Sequence, residues 1–343
     1  LSLHDALPIS GAGFPLLNCC MGGCRGLHTA PPRRVAGGYM HQMYQLETET
    51  GQYAVKLLNP AVMRRPDVFR NFQRAEYLEQ VLYRNMIPVV PAKEINGCKM
   101  QCINGQYFYV FPWVEGNALR WEEIDGGHCR TIGALLAKIH KIKIPRISCE
   151  REKIDVDWDA YIGQAEAACP EIAEELKSNR ELFYYGQEEY NAALHKVPAA
   201  VCICDGDMDS KNVLWVDGKP RIIDLECLDY GNPYMEMFQL ALSWSGDTLC
   251  RIDYGLLQTF LNAYRQEYGA FRTEWSALYG IGFSWLEWLA YNIKRALGLE
   301  CVNEEERQLG IRQVHETIPR IAYYAAIKKE LLDHLASAMP PVE

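Results

Sequence analysis

Positive charge is in short supply in this chain: 35 Lys and Arg stand against 44 Asp and Glu, a net charge of −9. A protein that grips nucleic acid through its phosphates needs a basic face, so no nucleic-acid partner is expected. Ordinary cytosolic acidity accounts for the number by itself, although it is compatible with a cationic ligand. Long apolar runs are missing too. The patch Phe14–Cys20 is too short, and its flanks are wrong, for a signal peptide or a membrane span, so no membrane partner is expected. Paired metal-knuckle spacing is also absent among the 13 cysteines. The C-x3-C of Cys98 and Cys102 and the C-x-C of Cys202 and Cys204 have no second pair at zinc-finger distance. No His or further Cys completes the Cys19, Cys20 and Cys24 group. The thiols read as the reduced, partly buried cysteines of a cytoplasmic protein. There is no internal repeat and no low-complexity segment.

What is there is a chain of 343 residues, 49% hydrophobic and 23% charged, enough for two lobes with a sizeable core. Ser2–Ile9, SLHDALPI, reads as the translation of a sequencing adapter, so roughly the first ten residues are set aside from fold reasoning. The rest of segment 1–32, rich in Gly, Cys and Pro, shows no period and is expected to be poorly ordered.

The chain is organised around Val201–Tyr230, VCICDGDMDSKNVLWVDGKPRIIDLECLDY. A strand near Ala199–Ile203 leads to a loop, Asp205–Asn212. Two short strands, Val213–Val216 and Arg221–Ile223, follow, joined by the Asp217-Gly218 turn, a strong hairpin signal. The hairpin would fix Asp207, Asn212 and Asp224 around one volume. Phosphoryl transfer asks for a carboxylate to orient and deprotonate a hydroxyl, and for oxygen ligands to hold magnesium. Asp207 suits the base, while Asn212 and Asp224 suit the metal. Any one of these residues alone would more often be a turn cap; D-x4-N, a DG hairpin and I-I-D together outweigh that reading.

D-G-D-M-D-S-K-N-V-L-W followed by R-I-I-D-L-E resembles the motif of the aminoglycoside phosphotransferase and choline kinase family. That resemblance implies an α+β, protein-kinase-like two-lobe fold and small-molecule kinase activity. One departure is visible: the family usually has His two residues before its catalytic Asp, where this chain has Asp205.

Upstream, Val35–Leu46 and Tyr53–Leu58 read as antiparallel strands across the Thr50-Gly51 turn. Gly37 and Gly38 lie where a nucleotide kinase places its phosphate-covering loop. Lys56 interrupts an apolar strand, as a phosphate-binding lysine would. The helix Pro66–Leu82 offers Glu76 as its partner, with Glu79 the alternative. Ile87–Lys93, Lys99–Ile103 and Gln106–Phe111 read as further strands, the last two joined by Asn104-Gly105. By the resemblance, Pro112–Gly116 is the hinge between lobes, with Phe111, Trp113 and Val114 framing the adenine. The expected N-lobe is 33–111, and 112–343 is a helical C-lobe carrying the catalytic loop.

Helical periods then cover Thr131–Ile142, Asp155–Glu175, Ser178–His195, Tyr234–Ser245, Ile252–Glu267, Glu274–Leu297 and Glu304–Ala336. His140 lies on an apolar helix face and reads as a hydrogen-bonded core residue. Trp285, Trp288 and Asn292 share one face, as a substrate wall or as core.

The expected reaction moves the γ-phosphoryl of ATP or GTP, with Mg2+, to a hydroxyl of a small polar molecule. For a cationic acceptor such as an aminoglycoside, Asp209, Glu226, Asp229 and Glu236 are the candidate contacts, with Asp205 close by; a neutral acceptor would lean on Trp285 or Tyr291 instead. A choline-like amine, a sugar, homoserine, methylthioribose or a macrolide are the rivals, as is a nucleotide-binding pseudokinase. A protein kinase is disfavoured, because Leu-Glu follows Asp224 and no A-P-E segment appears. A monomer or homodimer is expected.

Overall fold

The computed structural model describes residues 30–35, 40–145, 147–148, 151–269 and 274–338. Most of the N-terminal segment, including Gly37 and Gly38, lies outside the described residues. By the packing of its backbone the chain divides into two units, one made of 1–118 with 213–227 and the other of 119–212 with 228–343.

The first unit is built on a five-stranded sheet of β1 (Arg33–Val35), β2 (Gln42–Thr48), β3 (Gly51–Leu57), β4 (Gln101–Ile103) and β5 (Gln106–Pro112). Its order is β1-β2-β3-β5-β4, every neighbour antiparallel. Asn104-Gly105 turns β4 into β5 with φ of 50° and 81°, and the left-handed pair suits the sheet's twist. Alternation along each strand gives two apolar faces. Tyr53, Val55, Phe108 and Val110 pack with Tyr44, Leu46 and Ile95 on one. On the other, Tyr109 packs with Leu58, Val62, Ala92 and with Val68 and Phe72 of helix α1 (Val68–Arg84).

Ile87–Lys93 does not form the expected strand. Pro88 and Pro91 remove two backbone donors. The segment makes one isolated bridge, Val89 to Ile222. That bridge belongs to a second small sheet of β6 (Asn117–Ala118), β8 (Val213–Val216) and β9 (Lys219–Ile222). The expected DG hairpin is present: Asp217 and Gly218 take φ of 49° and 71°. Because β8 pairs with β6, the hairpin packs with the first unit, whereas the sequence reading kept it with the helical part.

The second unit is mainly helical: α2 (Gly126–His140), α3 (Trp158–Ala168), α4 (Pro170–Ser178), α5 (Arg180–Lys196), then, past 213–227, α6 (Pro233–Ser243), α7 (Tyr254–Tyr268), α8 (Trp275–Ile281), α9 (Trp285–Ala296), α10 (Glu304–Ala326) and α11 (Lys328–Ala338). Three spans read as single helices are each two, broken at Pro170, at the tight turn Gly282–Ser284 and near Ile327. Asn232 caps α6 by accepting from the N–H of Tyr234 and Met235, with Pro233 as the first helical residue. One short sheet pairs β7 (Cys202–Cys204) with β10 (Asp229–Gly231). Trp158, Trp244, Tyr264, Tyr279, Phe283 and Tyr324 fill the interior. Among the described residues no helix is long and apolar enough to cross a membrane.

Candidate active site

In the first unit, Lys56 sits on β3, on the sheet face turned toward α1, opposite Tyr109. Its ammonium is buried and meets two carboxylates, Asp224 at 2.5 Å and Glu226. Glu226 is also paired with His41 Nε2 at 3.2 Å. Burial alone would lower the lysine's pKa; Glu226 and Asp224 outweigh it and drive it up. Burial would likewise raise Glu226, but Lys56 and His41 hold it down at about 2. Asp224 has φ 62°, a left-handed conformation that is unusual for a non-glycine residue and clusters at functional sites. The end of β9 thus delivers its carboxylate to the lysine 168 residues earlier in the chain.

The expected partnership of Lys56 with Glu76 is not what forms. Glu76 accepts from the Tyr109 hydroxyl at 2.7 Å, so the cross-strand neighbour of the lysine takes it. The alternative, Glu79, pairs with Lys99 and accepts the Ala92 N–H at 3.1 Å. Glu226, read as an acceptor contact, belongs instead to the lysine's cluster. In the expected hinge, Trp113 donates its backbone N–H to Gln52 at 3.1 Å and its indole N–H to Glu115 at 2.9 Å. Val114 accepts the Gly116 N–H at 3.0 Å, and Phe111 packs against the α1 face of the sheet.

In the second unit, Asp207 and Asn212 come together as their spacing predicts. Asn212 Nδ2 donates to the Asp207 carboxylate at 2.9 Å and to its carbonyl at 2.8 Å. Lys211, which sequence reading passed over, places its ammonium 3.1 Å from the other Asp207 oxygen and 3.7 Å from Asp209. Its signal was the i+4 spacing. Asp209 accepts from Ser243 on α6 at 2.6 Å. Trp244 braces the loop by donating its indole N–H to the Met208 carbonyl at 3.0 Å.

Glu236 is not placed to hold an acceptor. It is buried; one oxygen accepts the Gly206 N–H at 2.7 Å, and the other lies 2.7 Å from His140 Nε2. The second His140 nitrogen meets the Tyr264 hydroxyl at 2.8 Å, so this histidine is core, as its apolar helix face suggests. Asp205, the departure from the family pattern, is almost wholly buried, and one of its oxygens accepts the Asp207 N–H at 3.3 Å. Asp229 lies in β10 and accepts from the Tyr230 N–H at 2.6 Å. Trp285 donates to Asp247 at 2.9 Å, and the guanidinium of Arg320 stacks 5.1 Å from its ring. Trp288 donates to Gln313, and Asn292 is buried, so that part of the face is core. Asp247 was not singled out, since S-G-D-T in isolation reads as a loop. It is 3% exposed, and its second oxygen finds no hydrogen-bond partner among the described residues.

A sequence model of the phosphotransferase enzyme family matches residues 32–290, well over half the chain. The chain belongs to that family. It is a phosphotransferase with an alcohol group as acceptor, and its substrates are small molecules. It is similar to stress response kinase A of Escherichia coli (strain K12), 23% identical over 239 residues that cover 68% of each chain. Among solved structures it resembles a spectinomycin phosphotransferase in complex with ADP and spectinomycin, at 13% identity and a TM-score of 0.61, covering 88% of this chain and 94% of that one. An amicoumacin kinase in complex with AMP-PNP, Ca2+ and Ami matches at 14% identity and a TM-score of 0.61, covering 90% and 93%. A choline/ethanolamine kinase family protein from Mesorhizobium loti matches at 13% identity and a TM-score of 0.57, covering 91% and 92%. The phosphotransferase shares with them the protein-kinase-like fold, with a β-sheet N-terminal part and a mainly helical C-terminal part.

Proposed function

We propose that this phosphotransferase moves the γ-phosphoryl of ATP or GTP to a hydroxyl of a small, amine-bearing acceptor. The observation that carries the reading is the Asp207–Asn212 pair, a carboxylate held at 2.9 Å by an amide five residues on, in a loop braced by Trp244. In this reading Asp207 accepts the acceptor's hydroxyl proton as the oxygen attacks phosphorus, and Asn212 and Lys211 keep its carboxylate aimed. Lys56 holds the nucleotide's phosphates, and Asp224 and Glu226 hold Lys56. Phe111, Trp113 and Val114 border the adenine. Asn212 and Asp224 would offer the hard oxygen donors that suit Mg2+. The metal would neutralise charge on the phosphates. Catalysis on these terms is positioning and charge neutralisation.

The amine-bearing acceptor is supported by Asp209 and Asp247 in the second unit. Burial pushes the Asp247 carboxyl up to about 6, against the pull of the Trp285 N–H and the Arg320 charge. An ammonium would satisfy the oxygen that has no donor, and an unpaired buried carboxylate is costly. The test is nucleotide consumption over hydroxyl-bearing molecules, with aminoglycosides, choline, sugars, homoserine and macrolides included. Cationic acceptors should be turned over, their KM rising with salt and with Asp247→Asn. A neutral acceptor with salt-independent KM sinks the amine reading and leaves the kinase reading standing. No consumption with any acceptor, set beside intact nucleotide binding, would favour a nucleotide-binding pseudokinase.

A further inference from the structure

The phosphotransfer reading leaves one cluster unused. Strand β7 carries Cys202 and Cys204 two residues apart, hence on the same face. Their sulfurs lie 3.6 Å apart, and both thiols are free. Helix α2 ends over that face and sets His140 beside them, so that an imidazole nitrogen and both sulfurs lie within 4.8 Å of one another. His140 and Cys202 are buried, and Cys204 is half-buried.

We propose that His140, Cys202 and Cys204 form a binding site for a thiophilic metal ion, zinc being the ion their chemistry fits best. The donor set is one imidazole and two thiolates, the ligands that zinc favours over the hard oxygen donors magnesium takes. The spacing agrees. Two Zn–S bonds of about 2.3 Å at a tetrahedral angle put the sulfurs about 3.8 Å apart, against the 3.6 Å found. A disulfide would need the same atoms at about 2.05 Å.

The strand opposite is shaped for these sulfurs. Gly231 of β10 pairs with Cys202 in register, and a Cβ added there would stand 2.8 Å from Cys204 Sγ. Only a residue without a side chain leaves that volume to the thiol.

Binding asks one His140 nitrogen to exchange its present partner, Tyr264 or Glu236, for the ion. The partner left on the other nitrogen then orients the ring, as carboxylates do for metal-bound histidines. Each cysteine binds as the thiolate and releases its proton to solvent, so affinity rises with pH. Two thiolates match the dication's charge and limit the cost of holding it in the interior. The fourth position falls to solvent or to Glu236, whose other oxygen accepts the Gly206 N–H one residue before Asp207. Occupancy would therefore be felt in the catalytic loop.

The experiment uses the full chain, reduced and loaded with zinc and then desalted. One zinc per chain should remain. Cobalt in its place should show thiolate-to-metal charge-transfer absorption. Alkylation followed by peptide mapping should find the peptide of Cys202 and Cys204 protected by zinc, while exposed Cys98 and Cys102 react as before. Cys204→Ala, or Cys202→Ser with Cys204→Ser, should abolish retention and the cobalt band. Glu236→Gln should weaken zinc about 10–100-fold. Equal alkylation of that peptide with and without zinc overturns the site. So does undiminished retention in a folded Cys204→Ala chain. The mapping needs no variant, so a misfolded mutant does not decide the matter.

Discussion

Lys56 in the first unit and Asp207 in the second are held on opposite terms. In the first, Lys56 is buried and saturated: two carboxylates meet it, and one of those is shared with His41. In the second, Asp207 stays about a third exposed, with Lys211 and Asn212 as side-chain donors. One arrangement is a fixed charge assembly whose parts depend on each other. The other is a carboxylate left accessible, the one proposed above as the base. A residue that must exchange a proton with a transient ligand cannot be sealed in, whereas one that must stay cationic through every turnover gains from being so.

Breaking the accessible side should cost chemistry and spare the fold. Asp207→Asn is expected to lower kcat by about 10²–10⁴, with nucleotide affinity unchanged and stability within about 0.5 kcal/mol of the parent. Turnover close to normal would move the base elsewhere. Breaking the sealed side should do the reverse. Lys56→Met leaves Asp224 and Glu226 without their cation, and urea unfolding should show a loss of roughly 3–5 kcal/mol. If stability is unchanged, the cluster is not the fixed assembly described above.

Asp224 sharpens the contrast, since it belongs to the sealed side by position and to the reaction by proposed role. Asp224→Ala should weaken ATP binding more in magnesium than in EDTA. Equal weakening under both conditions would assign the residue to the lysine alone. Asp224→Asn is the gentler change, because Asn tolerates the φ of 62° that Ala resists.

The smallest expected effect is on acid stability. Glu226 is held at about 2, below its ordinary 4.5. A depressed carboxylate contributes its stability in full above the unfolded value, and that contribution is lost as pH falls from about 4.5 toward 2. Glu226→Gln should flatten the stability profile over that interval; an unaltered slope would mean other carboxylates govern it.

What could be read in the sequence were the features written locally. D-x4-N brings its two side chains together through a single turn, and Asp217-Gly218 and Asn104-Gly105 make their hairpins because few residues accept two left-handed angles in succession. The helices and the core role of His140 followed from periodicity, and the α+β, two-lobe fold from the family resemblance. Long-range choices were not legible. Nothing near Lys56 tells that Asp224 and Glu226, rather than Glu76, will meet it. Tyr109, by taking Glu76, decides that question from the neighbouring strand. Glu236 reads from the sequence as an acceptor contact and is a buried member of a hydrogen-bond network with His140 and Gly206. Asp247 had no motif at all. The failed strand at Ile87–Lys93 is the instructive local miss, since its apolar residues pointed one way and its two prolines the other.

The first unit is discontinuous: 1–118 is finished only by 213–227. As the chain leaves the ribosome, Lys56 is therefore exposed to solvent without either carboxylate for as long as the next 168 residues take to emerge. Closing so long a loop is an entropic cost met only late, and it couples the unit's completion to synthesis of 119–212, the first part of the helical unit. A nascent chain arrested before the hairpin should carry a sheet that is hydrogen-bonded but electrostatically unfinished, dependent on chaperones in a way the released protein is not.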